Sequence, residues 1–74
     1  MAKKKEHWKD ALREAVQEAG SLAELGRRTG FSHVSYHLAL KKGKQISAEM
    51  ALAVSQQTGV ERHRLRPDLW GPDD

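Results

Sequence analysis

The segment from residue 21 to residue 43, SLAELGRRTGFSHVSYHLALKKG, constrains the fold more than any other part of the chain. Ser21 and Ser32 stand where two helices would begin, and serine is a favoured N-cap because its hydroxyl accepts a hydrogen bond from the first turn. Glu24 follows Ser21 by three residues and completes the pattern of a capping box. Gly30 stands where the first helix would end, since glycine readily takes the left-handed conformation of a helix C-cap. The segment therefore predicts two short helices joined by a tight turn.

The remaining residues of this segment fit that arrangement. Leu22 and Leu25 share one face of the first helix, and Gly26 leaves room for another helix to come close. Phe31 is expected to fill the corner, and the second helix is expected to run to Lys42. Two short helices joined by a turn of three to four residues that contains glycine form a helix-turn-helix unit. In its DNA-binding form, the second helix lies in the major groove with its N-terminal residues at the base edges.

The second helix of this segment carries two apolar stripes, and only one of them can face the core fully. One arrangement buries Tyr36, Ala39 and Leu40. The other buries Val34 and Leu38 and exposes Tyr36. We favour the first arrangement, because the length of the segment between its two closing glycines then needs no adjustment.

The first arrangement defines the candidate site residues. Base edges are read by side chains that donate or accept hydrogen bonds or touch a thymine methyl group, whereas cations hold phosphates and fix the register. We predict base-edge contacts from Ser32, His33, Val34, His37 and Lys41. We predict phosphate contacts from Arg27, Arg28, Lys42 and Lys44.

Length and charge agree with a small DNA-binding domain. The chain has 74 residues, a formal net charge of +3 and no cysteine. A core of this size is marginal, and dimerisation would stabilise it. The positive charge suits an anionic partner such as nucleic acid. We expect a cytoplasmic protein with no membrane span, because cysteine is absent and no apolar run reaches the ~18 residues that a span requires.

The rest of the chain predicts further helices around this unit. A first helix over residues 6–19 has an apolar stripe that begins at Trp8, and a fourth helix is capped by Ser47 and has an apolar face that includes Leu52. One further turn covers residues 61–65. We predict an all-α domain of four to five helices over residues 6–71, a basic tail over 1–5 and a C-terminal tail over 72–74. We assign Leu65, Leu69 and Trp70 to a dimer or partner contact, since these are apolar side chains on a polar segment.

Three stretches of the sequence carry a resemblance to a known family. They read SLAELGRRTGFS, KGKQISAEMALAVSQQTGV and RHRLRPDLWGP. Together they resemble the YdaS-like family of small prophage regulators, within the phage-repressor class of Cro-like, lambda-repressor-like domains. The resemblance implies a DNA-binding transcriptional regulator that represses by occupying an operator as a homodimer. The chain departs from the family pattern where Tyr36 replaces a branched aliphatic residue and Ala39 replaces an aromatic one.

The sequence also bears on three alternatives to a DNA-binding repressor: an antitoxin, a metal site and an enzyme. Members of the family are also described as antitoxins, so the alternative is an antitoxin that binds a protein toxin and autoregulates its own promoter. His33 and His37 are spaced to share a metal ion, but no third ligand is spaced to close the site. No nucleophile–base spacing or phosphate-binding glycine loop appears, so we predict neither an enzyme nor a bound cofactor.

Overall fold

The computed structural model describes residues 7–70 as an all-helical chain. The predicted tails, residues 1–5 and 72–74, lie outside the described residues, as do residues 6 and 71 at the ends of the predicted domain. The six helices of the described part are α1 His7–Ala19, α2 Leu22–Thr29, α3 His33–Lys42, α4 Ala48–Thr58, α5 Arg62–Leu65 and α6 Pro67–Trp70. The prediction was four to five helices, and the additional one is α6. It begins at Pro67, a residue suited to the first helical position because its missing N–H has no acceptor there.

Serine caps start three of the helices, as predicted. Ser21 Oγ accepts from the backbone N–H of Glu24 at 3.1 Å, Ser32 Oγ from Val34 at 3.1 Å and Ser47 Oγ from Met50 at 3.1 Å. Ser21 thus forms one half of the predicted capping box, whereas the carboxylate of Glu24 turns to two arginines of its own helix. Each cap satisfies a first-turn donor that the helix itself leaves without a partner.

The core is formed by apolar side chains from five of the helices and the segments between them. α1 crosses the bundle and contacts α2, α3, α4 and α5. The buried apolar residues are Trp8, Ala11, Leu12, Ala15, Ala19, Leu25, Tyr36, Ala39, Ile46, Met50, Ala51, Val54, Val60 and Leu65. Phe31, Leu22 and Leu40 pack against this cluster and are partly buried. The predicted stripe of α1 is therefore the face that organises the core.

The structure decides between the two arrangements of α3. Tyr36 is fully buried and Ala39 is almost fully buried, whereas Val34 is 48% exposed. The tyrosine hydroxyl finds a partner inside the fold, because it lies 2.7 Å from Thr29 Oγ1 of α2. This is the arrangement that we favoured, and it leaves the opposite side of α3 uncovered.

Gly26 allows α2 and α3 to approach each other at the turn. A Cβ atom built on Gly26 would lie 2.7 Å from the Phe31 carbonyl oxygen and 3.0 Å from the His33 backbone nitrogen. Real Cβ atoms do not come this close to backbone atoms, so the absence of a side chain is what permits the contact. The predicted close approach is confirmed, and the partner is the turn and the first residue of α3.

α4 differs from its predicted apolar face, which comprised Met50, Leu52, Ala53, Val54 and Gln57, because Gln57 is exposed and Ala51 joins the buried side. Met50, Ala51 and Val54 are buried, but Leu52 points outward and is 36% exposed. Ala51 and Val54 lie three residues apart and share the core side of the helix with Met50, and Leu52 lies outside this stripe. Leu52 therefore belongs to the surface.

The C-terminal helices are tied to the rest of the fold by two arginines. Arg64 of α5 donates to the Glu14 carboxylate of α1 at 2.8 Å. Arg66 donates to the Ile46 carbonyl oxygen at 2.6 Å and holds the Asp68 carboxylate at 2.6 and 2.9 Å. These contacts hold α5 and α6 against α1 and against the segment between α3 and α4.

Candidate nucleic-acid interface

The uncovered side of α3 presents every residue that we assigned to base edges. Burying Tyr36 and Ala39 turns the opposite side of the helix outward. Ser32 stands at the N-terminal end of that side, where it caps the helix. The exposed residues there are Ser32, His33, Val34, His37 and Lys41. The structure therefore brings the predicted base-contacting residues together on one surface.

Val34 is the large apolar side chain on this surface. It is 48% exposed, as is Leu69, and these two are the most exposed large hydrophobic residues of the described chain. Single exposed apolar residues are ordinary on protein surfaces. Here Val34 lies between His33 and the remaining polar residues of the helix, so the surface combines hydrogen-bonding groups with one methyl-bearing group. That combination matches the donors, acceptors and thymine methyl of a major groove.

A cluster of lysines lies at the C-terminal end of α3. Lys41, Lys42 and Lys44 are exposed there, and no carboxylate among residues 7–70 forms a salt bridge with any of them. Lys9 of α1 reaches the same place, because its Nζ would lie 3.7 Å from a Cβ built on Gly43. We call these four residues the lysine cluster. It contains two of the predicted phosphate contacts, Lys42 and Lys44.

Lys9 is the member of this cluster that sequence reasoning missed. Its spacing in α1 places it beside Trp8, on the polar edge of the apolar stripe, and its Nζ lies 6.0 Å from the centre of the Trp8 ring. No local pattern connects it with Gly43, since that proximity arises from the way α1 crosses the end of α3. The only feature of Lys9 in the sequence that indicates a place in the cluster is its positive charge.

The two arginines of α2 have a different environment. Arg27 donates to both oxygens of the Glu24 carboxylate, from Nη2 at 2.7 and 2.8 Å and from Nε at 3.2 Å. Arg28 Nε lies 3.3 Å from the same carboxylate. The hydrogen bond from Arg27 is the main cause that lowers the pKa of Glu24, and the same bond raises the pKa of Arg27. The three charges sum to +1. The predicted phosphate contacts thus fall into two groups: two arginines on α2 that share one carboxylate, and lysines at the end of α3 that form no salt bridge with a carboxylate of residues 7–70.

The fold gives different environments to the three residues that we assigned to a dimer or partner contact. Leu65 has no exposed surface and lies in the core, so its assignment to an intermolecular contact was wrong. Its burial follows from the packing of α5 on α1. Trp70 is partly buried against the core, and the guanidinium of Arg62 lies 5.2 Å from the centre of its ring. Leu69, at 48% exposure, is the residue of the three that a partner can reach freely.

Within the described part of the chain, no three histidine, cysteine, aspartate or glutamate side chains lie close enough together to hold a metal ion. Across residues 7–70, none of the helices has the length and apolar character needed to cross a membrane.

Comparison with known proteins adds no relative. The chain shows no significant match to any protein-family model, to any curated protein or to any solved structure. The resemblance to YdaS-like regulators thus rests on the three quoted stretches, and the function is argued from the geometry of the surface.

Proposed function

We propose that this chain is a sequence-specific double-stranded DNA-binding protein, in which α2 and α3 act as a helix-turn-helix and α3 enters the major groove. The proposal includes a role as a transcriptional repressor of the lambda-repressor-like, YdaS-like kind, which occludes a promoter by occupying its operator. The observation that carries it is the exposed side of α3. It joins hydrogen-bonding side chains at the start of the helix to the lysine cluster at its end.

The charges along this surface favour a polyanion. The sequence from Ser32 to Lys44 contains no acidic residue. Phosphate contacts supply most of the sequence-independent affinity for DNA, because each neutralised phosphate releases condensed counterions. On this surface, cations lie at one end and other hydrogen-bonding groups lie at the other, so phosphate binding and base reading are carried out by different residues. The lysines fix the register, and the start of α3 reads the bases.

Each residue at the start of α3 has a defined role in this proposal. The Ser32 hydroxyl donates to or accepts from base edges, and the imidazoles of His33 and His37 hydrogen-bond to purine edges. Val34 touches a thymine methyl group. Lys41, one turn beyond His37, reaches either a guanine edge or a phosphate.

A homodimer on DNA completes the proposal. A single domain of this size covers little DNA surface, and useful affinity requires two half-sites about one helical turn apart. Leu69 is the exposed apolar side chain of α6, and we place the contact between the two copies there. Replacing Leu69 with aspartate is expected to weaken operator binding, whereas binding of a single half-site is retained. Light scattering on the protein–operator complex measures the change in stoichiometry.

The test of the proposal is a salt titration. The protein is titrated into a labelled random-sequence duplex, and fluorescence anisotropy is recorded at several salt concentrations. Lys42 and Lys44 alone predict a slope of log K against log[salt] of about −2 for each bound chain. Operator selection follows, and alanine variants of His33, Val34 and His37 are then compared on the selected operator. We expect these variants to lose affinity for the operator and to keep affinity for random DNA.

Two results would contradict the proposal. One is the absence of binding to any duplex at low salt. The other is binding without preference for any selected sequence, since that indicates a basic protein with no reading surface. Gln56→Ala on α4 serves as the matched control, because Gln56 is an exposed polar residue outside the α2–α3 unit.

The exposure of Leu69 also supports a second candidate function, that of an antitoxin. An antitoxin of this kind binds a protein toxin through α6 and uses α3 to regulate its own promoter. A few side chains that become buried on binding commonly dominate the affinity of such contacts. Co-purification from the source cell separates the two functions. The antitoxin candidate requires a stoichiometric protein partner that is lost when Leu69 is replaced with aspartate.

A further inference from the structure

The ion pairs of α2 carry an inference about how this surface discriminates between DNA sequences, and it rests on the proposed function. Glu24 holds Arg27 through two hydrogen bonds of 2.7 and 2.8 Å to the same terminal nitrogen and reaches Arg28 at 3.3 Å. Arg27 follows Gly26, where a Cβ atom would lie 3.0 Å from the His33 backbone nitrogen. The group of three charges therefore belongs to the helix that packs against the start of α3. We propose that Glu24 limits sequence-independent DNA binding by occupying the two arginines that would otherwise take phosphates.

A competition between carboxylate and phosphate is built into this arrangement. A bidentate arginine–carboxylate pair has the same geometry as a bidentate arginine–phosphate pair. When Arg27 moves to a phosphate, it must first leave Glu24, and the released carboxylate then stands near the negatively charged DNA backbone. Both effects oppose the transfer. The arginines therefore contribute little to binding unless the rest of the interface is well formed.

Three lysines at the end of α3 face no such competition within the described residues. No carboxylate within residues 7–70 forms a salt bridge with Lys41, Lys42 or Lys44. These lysines are available to phosphates at any sequence. Binding to random DNA then depends on the lysines, while the arginines of α2 stay paired with Glu24. Removing the charge of Glu24 is expected to strengthen binding to random DNA more than binding to the operator.

The chain offers a closely matched control on α1. Asp10 stands in the first turn of α1, as Glu24 stands in the first turn of α2, and Arg13 follows it by three residues at a distance of 3.1 Å. Both pairs are exposed. Glu24→Gln and Asp10→Asn change the net charge by the same amount, and each releases arginine from a carboxylate. They differ in the helix that carries them, since Glu24 lies on α2 of the candidate helix-turn-helix and Asp10 lies on α1.

The experiment measures the binding of a random duplex and a selected operator by wild type, Glu24→Gln and Asp10→Asn. Each arginine that transfers to phosphate steepens the salt slope by about 1, which is about a fourfold difference in affinity between 50 and 200 mM salt. We expect Glu24→Gln to steepen the slope by this amount or more and to lower the ratio of operator affinity to random-DNA affinity. We expect Asp10→Asn to stay close to wild type.

A second set of variants tests whether Glu24 acts through the two arginines. In a background with Arg27→Ala and Arg28→Ala, Glu24→Gln is expected to change the slope no more than Asp10→Asn does. Circular dichroism on every variant verifies that α2 is still folded.

The results separate this inference from the proposed function. If wild type binds DNA and Glu24→Gln behaves like Asp10→Asn, the role of Glu24 is overturned and the proposed function stands. An effect of Glu24→Gln on the salt slope that is equally large without the two arginines also overturns it. If no variant binds any duplex, the proposed function fails and the inference fails with it.

Discussion

The hydroxyl of Tyr36 lies 2.7 Å from Thr29 Oγ1, and this contact joins the two helices of the candidate interface. Thr29 Oγ1 also donates to the Leu25 carbonyl oxygen at 2.8 Å, so its proton is engaged and the tyrosine hydroxyl acts as the donor between the two side chains. Tyr36 is fully buried, and its ring fixes which side of α3 faces the core. The orientation of the exposed side of α3 therefore depends on one buried hydrogen bond and the ring that carries it.

Replacing Tyr36 with phenylalanine tests this contact. The variant keeps the ring and loses one buried hydrogen bond, and we expect the free energy of unfolding to fall by about 1 kcal/mol. Urea unfolding measures the change. A double-mutant cycle with Thr29→Val isolates the pair, because the two single losses should then sum to more than the loss in the double variant. Independent, additive effects of the two changes would show that the hydroxyl groups do not interact.

The same burial predicts a dependence of stability on alkaline pH. Burial raises the pKa of Tyr36 above its ordinary value of 10.0. A raised pKa means that the folded state holds the proton more tightly than the unfolded state does. The contribution to stability is therefore fully present below pH 10 and is lost as pH rises through the folded pKa. The chain has one tyrosine, so its ultraviolet tyrosinate absorbance reports this group alone.

Tyr36→Phe is the control for that pH dependence. Wild type is expected to lose stability faster than the variant above pH 10, as measured by thermal unfolding at a series of pH values. If both proteins lose stability equally above pH 10, the loss is caused by groups other than Tyr36.

Gly26→Ala is expected to destabilise the fold. Alanine is favoured over glycine in a helix by about 1 kcal/mol. Here, however, its Cβ would stand 2.7 Å from the Phe31 carbonyl oxygen and 3.0 Å from the His33 nitrogen, and both are backbone atoms. Overpacking of this kind typically costs about 1–3 kcal/mol. The net effect is a loss of stability and a displacement of α3 from α2, measured by denaturant unfolding. An increase in stability would mean that the turn is looser than its backbone contacts indicate.

Leu65 and Leu69 are expected to respond differently to truncation. Leu65→Ala removes a fully buried side chain, and such changes typically cost about 2–5 kcal/mol. Leu69→Ala removes a side chain that is 48% exposed, and its effect on stability is expected to stay within about 0.5 kcal/mol. Thermal unfolding of both variants provides the comparison. A large loss in Leu69→Ala would indicate that α6 packs more tightly than its exposure suggests.

The lysine cluster and the start of α3 are expected to act separately on DNA. Replacing Lys42 and Lys44 with glutamine is expected to flatten the salt slope by about 2 and to weaken binding to all sequences alike. His37→Ala is expected to relax the preference for one base pair and to leave the slope unchanged. Arg13→Gln on α1 removes one exposed cation that is not among the predicted phosphate contacts, and it serves as the control. Flattening by Arg13→Gln of half the size seen for the double variant would show that net charge, and not position, governs binding.

The parts of this fold that sequence reasoning predicted are those set by local chemistry. Ser21, Ser32 and Ser47 each start a helix because a hydroxyl meets a backbone donor two or three residues ahead, and this depends on no distant contact. The burial of Tyr36 was predicted as one of two alternatives. The apolar spacing of α3 did not decide between them, and the structure did so through the partner that Thr29 supplies.

The parts that sequence reasoning did not predict depend on how the helices cross. Leu65 was assigned to an intermolecular contact because it stands in a polar segment, but the packing of α5 on α1 buries it. Lys9 joins the lysine cluster only because α1 passes the end of α3. Pro67 begins α6, a helix that was not predicted. Glu24 had two local partners available, the N-terminus of its helix and the arginines after it, and spacing alone does not rank them.

The contact between α5 and α1 also has a consequence during synthesis on the ribosome. Arg64 binds Glu14, and Leu65 fills a core that α1 has already helped to form, so two of the stabilising contacts join residues that are far apart in the chain. Contacts of large sequence separation form only after the loop between them has closed. The α2–α3 unit leaves the ribosome well before Leu65 does. The nascent chain therefore leaves part of its core uncovered until Leu65 arrives, and it gains its full stability only once α5 has emerged.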